Sequence, residues 1–279
     1  EAGFDGVMVS EHHAGFPGYV PNPVQVAGFL LASMPRGWAA PCPLLLPMKP
    51  YALVAEDVAW LARAHPGRVG AGFAAGALPV DFELAEVPFD EIVERFKVAL
   101  PRVVAALRGA DDGPLADDPA VAACAEHPVP MVVAAQSPGA VRRAARLGLG
   151  VLYESKQGAE ASARLRTLYR EAGGAGPVVH LRRVGGGEPP TAAIDAQLDR
   201  YRQVASDRVA RNWAEGDGVV TGAEPREAAE ALAVTAAEHG ADAVNVRIHF
   251  TGLEPATVRH QLELLADGFV ATVRDRLVG

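Results

Sequence analysis

The sequence predicts an α/β protein built on a parallel sheet. Three observations carry this. Seven short, nearly all-apolar segments alternate with helical patterns along 279 residues. The segments lack the strict polar–apolar alternation of a half-exposed strand, so they read as strands buried on both faces, which parallel sheets produce. The first of them, Gly6–Ser10, runs directly into Glu11-His12-His13. The C-terminal ends of parallel strands are where such folds carry their chemistry.

In chain order, residues 1–5 read as the end of a helix, with Gly3 at its left-handed cap. An earlier strand and helix are expected to be absent from the front. After strand Gly6–Ser10, residues 14–21 form a loop rich in Gly and Pro. Residues 22–34 are helical, with Asn22 as N-cap and Pro23 at N1. Strand Gly37–Cys42 follows, and Pro43-Leu44-Leu45-Leu46-Pro47 runs out as a loop. Helix Tyr51–His65 is stopped by Pro66-Gly67. Strand Arg68–Gly72 comes next, and no helix is expected before the one at Phe89–Arg108. Residues 109–127 are a polar excursion rich in Asp and Pro.

Strand Pro130–Ala135 then leads to helix Pro138–Leu147, capped by Ser137. Strand Leu149–Tyr153, helix Ala159–Ala172 and strand Val178–Val184 follow. Gly185-Gly186-Gly187 reads as a break, and with the 109–127 excursion as a candidate mobile lid. Residues 191–212 are helical, 213–223 a loop, Glu224–His239 a helix, Ala243–Ile248 a strand and Pro255–Arg276 a final helix. Counting the absent strand gives eight βα units, as in a TIM barrel, although a doubly wound sheet shows the same alternation.

Composition narrows the function classes. Hydrophobic content of 49% against 22% charged residues is that of a globular chain with a large core. With 26 basic against 34 acidic residues and no Lys/Arg block, nucleic acid is not an expected partner. The longest apolar run, Pro41 to Met48, is far short of the ~20 residues that span a membrane. Two cysteines, Cys42 and Cys124, make neither a disulfide framework nor a zinc cluster and fit a reducing cytoplasm.

Five constellations could carry chemistry. Glu11-His12-His13 stands at a strand end, where histidine suits proton transfer or hydrogen bonding to a developing anion. The two rings cannot meet one ligand unless the chain turns there. A metal site would need ligands from other strands, such as His180 or His249. Gly70-Ala71-Gly72-Phe73-Ala74-Ala75 matches a dinucleotide fingerprint, but no helix follows at once, so its glycines read as allowing a flat ligand or a neighbouring strand to approach. Gln136-Ser137 precedes a helix N-terminus, which caps itself through Ser137 and can also hold an anion. Asn245 and Arg247 alternate with valines on the last strand, and polar groups facing a sheet interior need a ligand or one another. Cys42-Pro43 is a strand-end X-Pro bond, open to cis or trans, and Cys42 reads as buried.

These residues resemble the bacterial luciferase-like flavin monooxygenase family over nearly the whole chain. The likeness is strongest in Gly3-Phe4-Asp5, Ser10-Glu11-His12-His13, Asn22-Pro23, Leu44-Leu45-Leu46-Pro47, Ala55-Glu56-Asp57, Gly67-Arg68 and Val87-Pro88-Phe89, and resumes at Val129–Ser137 and Val141–Gly150. It implies one TIM-barrel domain over residues 1–279 that binds reduced FMN, supplied by a separate flavin reductase, and reacts it with oxygen through a C4a-(hydro)peroxide to oxygenate a small organic substrate. The family's other members use the deazaflavin F420 for hydride transfer, and a flavin-binding protein without turnover is a third possibility. By position, His12 matches the catalytic histidine and His13 its neighbour, with Glu11 beside them. Cys42-Pro43 matches a cis peptide under the flavin ring, and Gln136 and Ser137 match phosphate ligands. Ala74-Ala75 stands where luciferase has a reactive Cys and a phosphate-binding Arg, a contact Ala cannot replace. The resemblance also implies a homodimer through residues 22–34 and 51–65.

Overall fold

The computed structural model describes residues 2–187, 190–204, 219–266 and 268–278. The chain divides into two compact units, Asp5–Ala134 and Glu1–Phe4 with Ala135–Gly279. All strand pairs described within them are parallel.

The Asp5–Ala134 unit holds β1 (Gly6–Val9), β2 (Trp38–Pro41), β3 (Leu44–Leu45), β4 (Ala71–Ala74) and β5 (Met131–Ala134). Its helices are α1 (Pro23–Ser33), α2 (Tyr51–Ala64), α3 (Pro79–Glu83), α4 (Ile92–Ala106) and α5 (Pro119–Ala123). β1 pairs with β2 from Gly6 opposite Trp38 to Val9 opposite Pro41. β4 pairs with β3 on one side and β5 on the other. The Asn22 side chain accepts from Gln25 N–H at 3.0 Å, so α1 starts where its cap dictates. Helix α2 buries Val54, Ala55, Val58 and Ala59 at i, i+3/i+4 spacing. Each buried Val contributes roughly 1.5–3 kcal/mol.

Three expectations fail in this unit. Leu44–Leu45 is a strand rather than a loop and leads into a 3-10 turn at Leu46–Met48. The strand expected at Arg68–Gly72 lies at Ala71–Ala74, with Val69 making only an isolated bridge to Ala39. Helices occur before Phe89 and inside the 109–127 excursion, and each opens on a proline: α3 at Pro79 and α5 at Pro119. At N1 the fixed φ of proline starts a helix rather than ending one. Asp118 secures α5, accepting from Ala120 and Val121 N–H at 2.8 Å each.

The second unit holds β6 (Gly150–Tyr153), β7 (Val178–Gly186), β8 (Val220–Gly222) and β9 (Ala243–Arg247). Its helices are α6 (Pro138–Arg146), α7 (Ala159–Glu171), α8 (Thr191–Val204), α9 (Pro225–Glu238), α10 (Pro255–Ala266) and α11 (Phe269–Val278). β7 pairs with β6, along Val179–Arg183 with β9, and along Val184–Gly186 with β8. The helices cover a core of Val184, Leu232, Ile248, Leu265 and Phe269.

The triglycine is not the break it seemed. Gly185 and Gly186 continue β7, and the Gln261 side chain bonds both the N–H (2.8 Å) and the carbonyl (3.1 Å) of Gly186. The loop expected at 213–223 contains β8 at its end. The final helix is two, separated at Gly268, whose φ of +80° a helix cannot contain. The expected helix at 191–212 is present through Val204, and its remainder lies outside the described residues.

Candidate active site

Directly after β1 the chain bridges at Glu11 to Val20 and turns, which lets adjacent side chains take separate partners. His12 Nδ1 lies 2.8 Å from Asp81 Oδ2. The backbone N–H of His13 donates to the other oxygen, Asp81 Oδ1, at 2.8 Å. Asp81 is fully buried in α3. A buried carboxylate with two such partners is a charge-assisted clamp on both residues. Nδ1 of His12 donates, since an ionised carboxylate only accepts.

His13 turns to Glu11 instead, with its Nε2 3.1 Å from Oε1. Glu11 Oε2 accepts from Leu45 N–H at 2.6 Å. Glu11 is buried, so its carboxylate ties the β1 end to β3 and holds the second imidazole. The His12 ring packs against Tyr19 (4.5 Å between centroids, edge-on) and Phe16 (4.9 Å). With these rings against it, the His12 side chain is 14% exposed.

Beside this group the Cys42–Pro43 bond is cis, the geometry the resemblance implied. Pro43 O accepts from Glu11 N–H and Cys42 O from Ser10 Oγ, both at 3.2 Å. Burial pushes the Cys42 thiol up to about 12, so it holds its proton and is no nucleophile near neutral pH. Gly72 lies against it, where a Cβ would come within 2.1 Å of Cys42 Sγ. The apparent dinucleotide fingerprint is thus a strand whose glycine admits a neighbouring strand end. Ala74 is buried at the end of β4, opposite Leu45. Glu11, His12, His13, Cys42, Pro43 and Ala74 therefore share one neighbourhood of the Asp5–Ala134 unit.

The remaining candidates belong to the other unit. Ser137 caps α6, accepting from Ala140 N–H at 3.3 Å, and Gln136 before it is half-buried. A Cβ on Gly139, in the first turn of α6, would meet nothing within 4 Å. On β9, Val244, Val246 and Ile248 pack on the helix-covered core, which puts Asn245 and Arg247 on the opposite face. Arg247 is the register partner of Arg183, and Asn245 of Leu181. His180 has its ring on the helix side with Arg182 and His239, and His249 is exposed. Among the described residues no three His, Cys, Asp or Glu side chains converge as metal ligands.

Residues 1–270 match the luciferase-like monooxygenase family. The chain belongs to that family. No curated protein sequence matches. Solved structures that resemble it include monooxygenase RslO1 from Streptomyces bottropensis, at 20% identity and TM-score 0.73, covering 97% of this chain and 89% of that one. The oxygenating constituent of 3,6-diketocamphane monooxygenase from Pseudomonas putida, in complex with FMN, gives 16% identity and TM-score 0.71, with coverage of 98% and 89%. Coenzyme F420-dependent tetrahydromethanopterin reductase from Methanopyrus kandleri gives 14% and 0.67, covering 97% and 91%. The fold of this luciferase-like chain is accordingly a TIM barrel, not a doubly wound sheet.

Sequence reading missed Asp81. The residue stands nearly 70 positions from the histidines, and its local signal is slight: one carboxylate between Val80 and Phe82 in a segment read as loop.

Proposed function

We propose that this luciferase-like chain is a reduced-FMN-dependent monooxygenase acting on a small organic substrate. The observation that carries the reading is the His12–Asp81 clamp at the end of β1. The residues of the Asp5–Ala134 unit fit a flavin ring by their chemistry, a fixed imidazole set among aromatic rings. Reduced flavin, when bound, supplies the electrons that activate dioxygen for transfer to the substrate.

The chain's own residues bind, orient and move protons. Asp81 fixes the His12 tautomer and prevents the ring from turning. With Nδ1 committed to Asp81, any proton exchanged with a bound molecule passes through Nε2. Glu11 sets the angle of His13 in the same way. Phe16 and Tyr19 shield His12 from water, which would otherwise compete for the activated oxygen. Cys42 and Pro43 form the support we assign to the ring system. Gln136 and Ser137 are assigned to the phosphate through the α6 N-terminus. Ala74 offers no charge there.

A free flavin is expected to arrive from a separate reductase, with both proteins in the cytoplasm. A homodimer through α1 and α2 is supported by Phe29, Leu53 and Trp60, which are 66%, 51% and 50% exposed on those helices. Exposed large apolar side chains are what an association surface would bury.

The test is titration with FMN reduced under argon, followed by admission of oxygen. Binding, and then flavin reoxidation distinctly slower than in free solution, is expected. Failure to bind reduced FMN refutes the FMN assignment, and binding of F420 in its place selects hydride transfer. Binding with reoxidation at the free-flavin rate leaves a flavin carrier without monooxygenase turnover.

A further inference from the structure

The two histidines after β1 are held by separate carboxylates and by opposite ring nitrogens. His12 meets Asp81 through Nδ1, and His13 meets Glu11 through Nε2. Glu11 is buried, and its second oxygen accepts the Leu45 N–H, which fixes the carboxylate against β3. An ionised carboxylate only accepts, so His13 carries its proton on Nε2 and presents a bare lone pair on Nδ1. Nδ1 has no hydrogen-bond partner among the described residues, and the His13 side chain is 15% exposed. The nitrogens of His180 also lack partners, but that ring is fully buried. Of the two, only His13 can meet an incoming molecule.

We propose that His13 Nδ1 is a second general base, separate from His12, which takes the proton of a weakly acidic hydroxyl on the substrate, with Glu11 as its positioning residue. The assignment rests on the proposed function and makes the substrate a phenol, oxygenated after ionisation.

Three arguments support it. The residue is held at both ends: its backbone N–H donates to Asp81 Oδ1 at 2.8 Å and its ring is tied to Glu11, so the lone pair keeps one direction. A base oriented by a third group is the arrangement that proton abstraction needs. The Glu11 carboxylate also stabilises the imidazolium that forms when Nδ1 takes a proton. The neighbouring rings of Phe16 and Tyr19 suit an aromatic body. In the step itself the substrate O–H bond breaks, its electron pair stays on the substrate oxygen, and its proton becomes Nδ1–H. The ionised ring then takes one oxygen atom of dioxygen. The ring C–H proton leaves into the water formed from the other atom, and Nδ1–H returns its proton to the substrate oxygen.

The test has two readouts that need no flavin. Long-range proton–nitrogen correlation spectra of the histidine-labelled protein report which His13 nitrogen carries the proton. Titration with para-nitrophenol, at a slightly acidic pH where the free probe is colourless, reports ionisation of a bound hydroxyl through the yellow phenolate band. His13→Gln and Glu11→Gln are compared with wild type and with His127→Gln, an exposed control in the same unit. Circular dichroism confirms folding, and should Glu11→Gln not fold, the wild-type spectrum and His13→Gln decide. A proton on Nε2 and a saturable yellow band are expected in wild type. Glu11→Gln keeps the Leu45 N–H on its amide oxygen and turns its NH2 toward Nε2, so the His13 proton moves to Nδ1. The band falls about tenfold or more in both site variants and stays within twofold in the control. A wild-type proton on Nδ1, no saturable band, or an equal band in His13→Gln overturns the proposal. The band without reduced-FMN binding means that the base stands and the cofactor assignment fails. FMN binding with slowed reoxidation and no band means that this proposal fails alone.

Discussion

His180 is completely buried on the helix side of β7, with neither ring nitrogen hydrogen-bonded among the described residues. Its ring lies 4.2 Å from that of His239, whose nitrogens face the Arg182 guanidinium. Burial, then Arg182, then His239 lower the His180 pKa to about 2; burial, then Arg182, lower that of His239 to about 4. In the unfolded chain both rings protonate near 6.5. Below that pH the unfolded state binds more protons, so stability is full above about pH 7 and falls as pH drops toward the folded values. Between pH 7 and 5 each ring costs about 2 kcal/mol, together about 4 kcal/mol. That is a large share of an ordinary domain's stability. The perturbation is His180→Leu, which keeps the bulk and deletes both buried nitrogens. Removing unpartnered polar groups is worth about 1–2 kcal/mol at pH 7, and the pH-dependent loss should halve to about 2 kcal/mol. Urea unfolding at pH 7, 6 and 5 measures both. An undiminished loss, or a variant weaker than wild type by more than about 2 kcal/mol at pH 7, refutes the reasoning, because His180 would then be paying no burial penalty.

Other perturbations test the site and the assembly. Asp81→Asn lets the amide oxygen keep the His13 N–H, but points its NH2 at His12 Nδ1, forcing the opposite tautomer. Oxygen-dependent turnover should fall about a hundredfold or more, while urea unfolding shows a loss of only about 1–3 kcal/mol. A turnover within twofold of wild type would remove His12 from the chemistry. Gly72→Ala should destabilise by about 1–3 kcal/mol through its clash with Cys42; adding Cys42→Ala should recover part of that, since the Cβ contact at 2.9 Å remains. Phe29→Asp with Leu53→Asp should convert a dimer to a monomer in light scattering. Asp118→Ala should cost about 0.5–2 kcal/mol by thermal denaturation, through loss of the α5 cap.

The legible part of the molecule was the part written in local pattern. Six of the seven expected strands lie within two residues of their expected bounds because short apolar segments mark them, though polar residues interrupt β7 and β9, and the one expected at Arg68–Gly72 is displaced to Ala71–Ala74. Asn22 and Ser137 announced their helices because a cap acts within three residues. Glu11-His12-His13 was visible because it interrupts such a run. What stayed hidden is long-range. Leu44–Leu45 is a strand only because Phe73 and Ala74 lie alongside. Gly185–Gly186 looks like a break until the Gln261 amide supplies its hydrogen bonds from 75 residues away.

Asp81 and Arg183 show the same limit at the level of chemistry. His12 becomes a proton-handling group of fixed orientation only through a carboxylate on another element, and a sequence shows the imidazole without its partner. Arg182 and Arg183 are adjacent in sequence and lie on opposite faces of the sheet. Strand alternation puts Arg182 on the His239 side of the sheet, where it also donates to Ser155 O at 2.8 Å, and Arg183 on the other side, where it donates to Ser155 Oγ. A pair of arginines on a buried strand is thus two statements, one for each face of the sheet, and only the partners that other elements bring tell them apart.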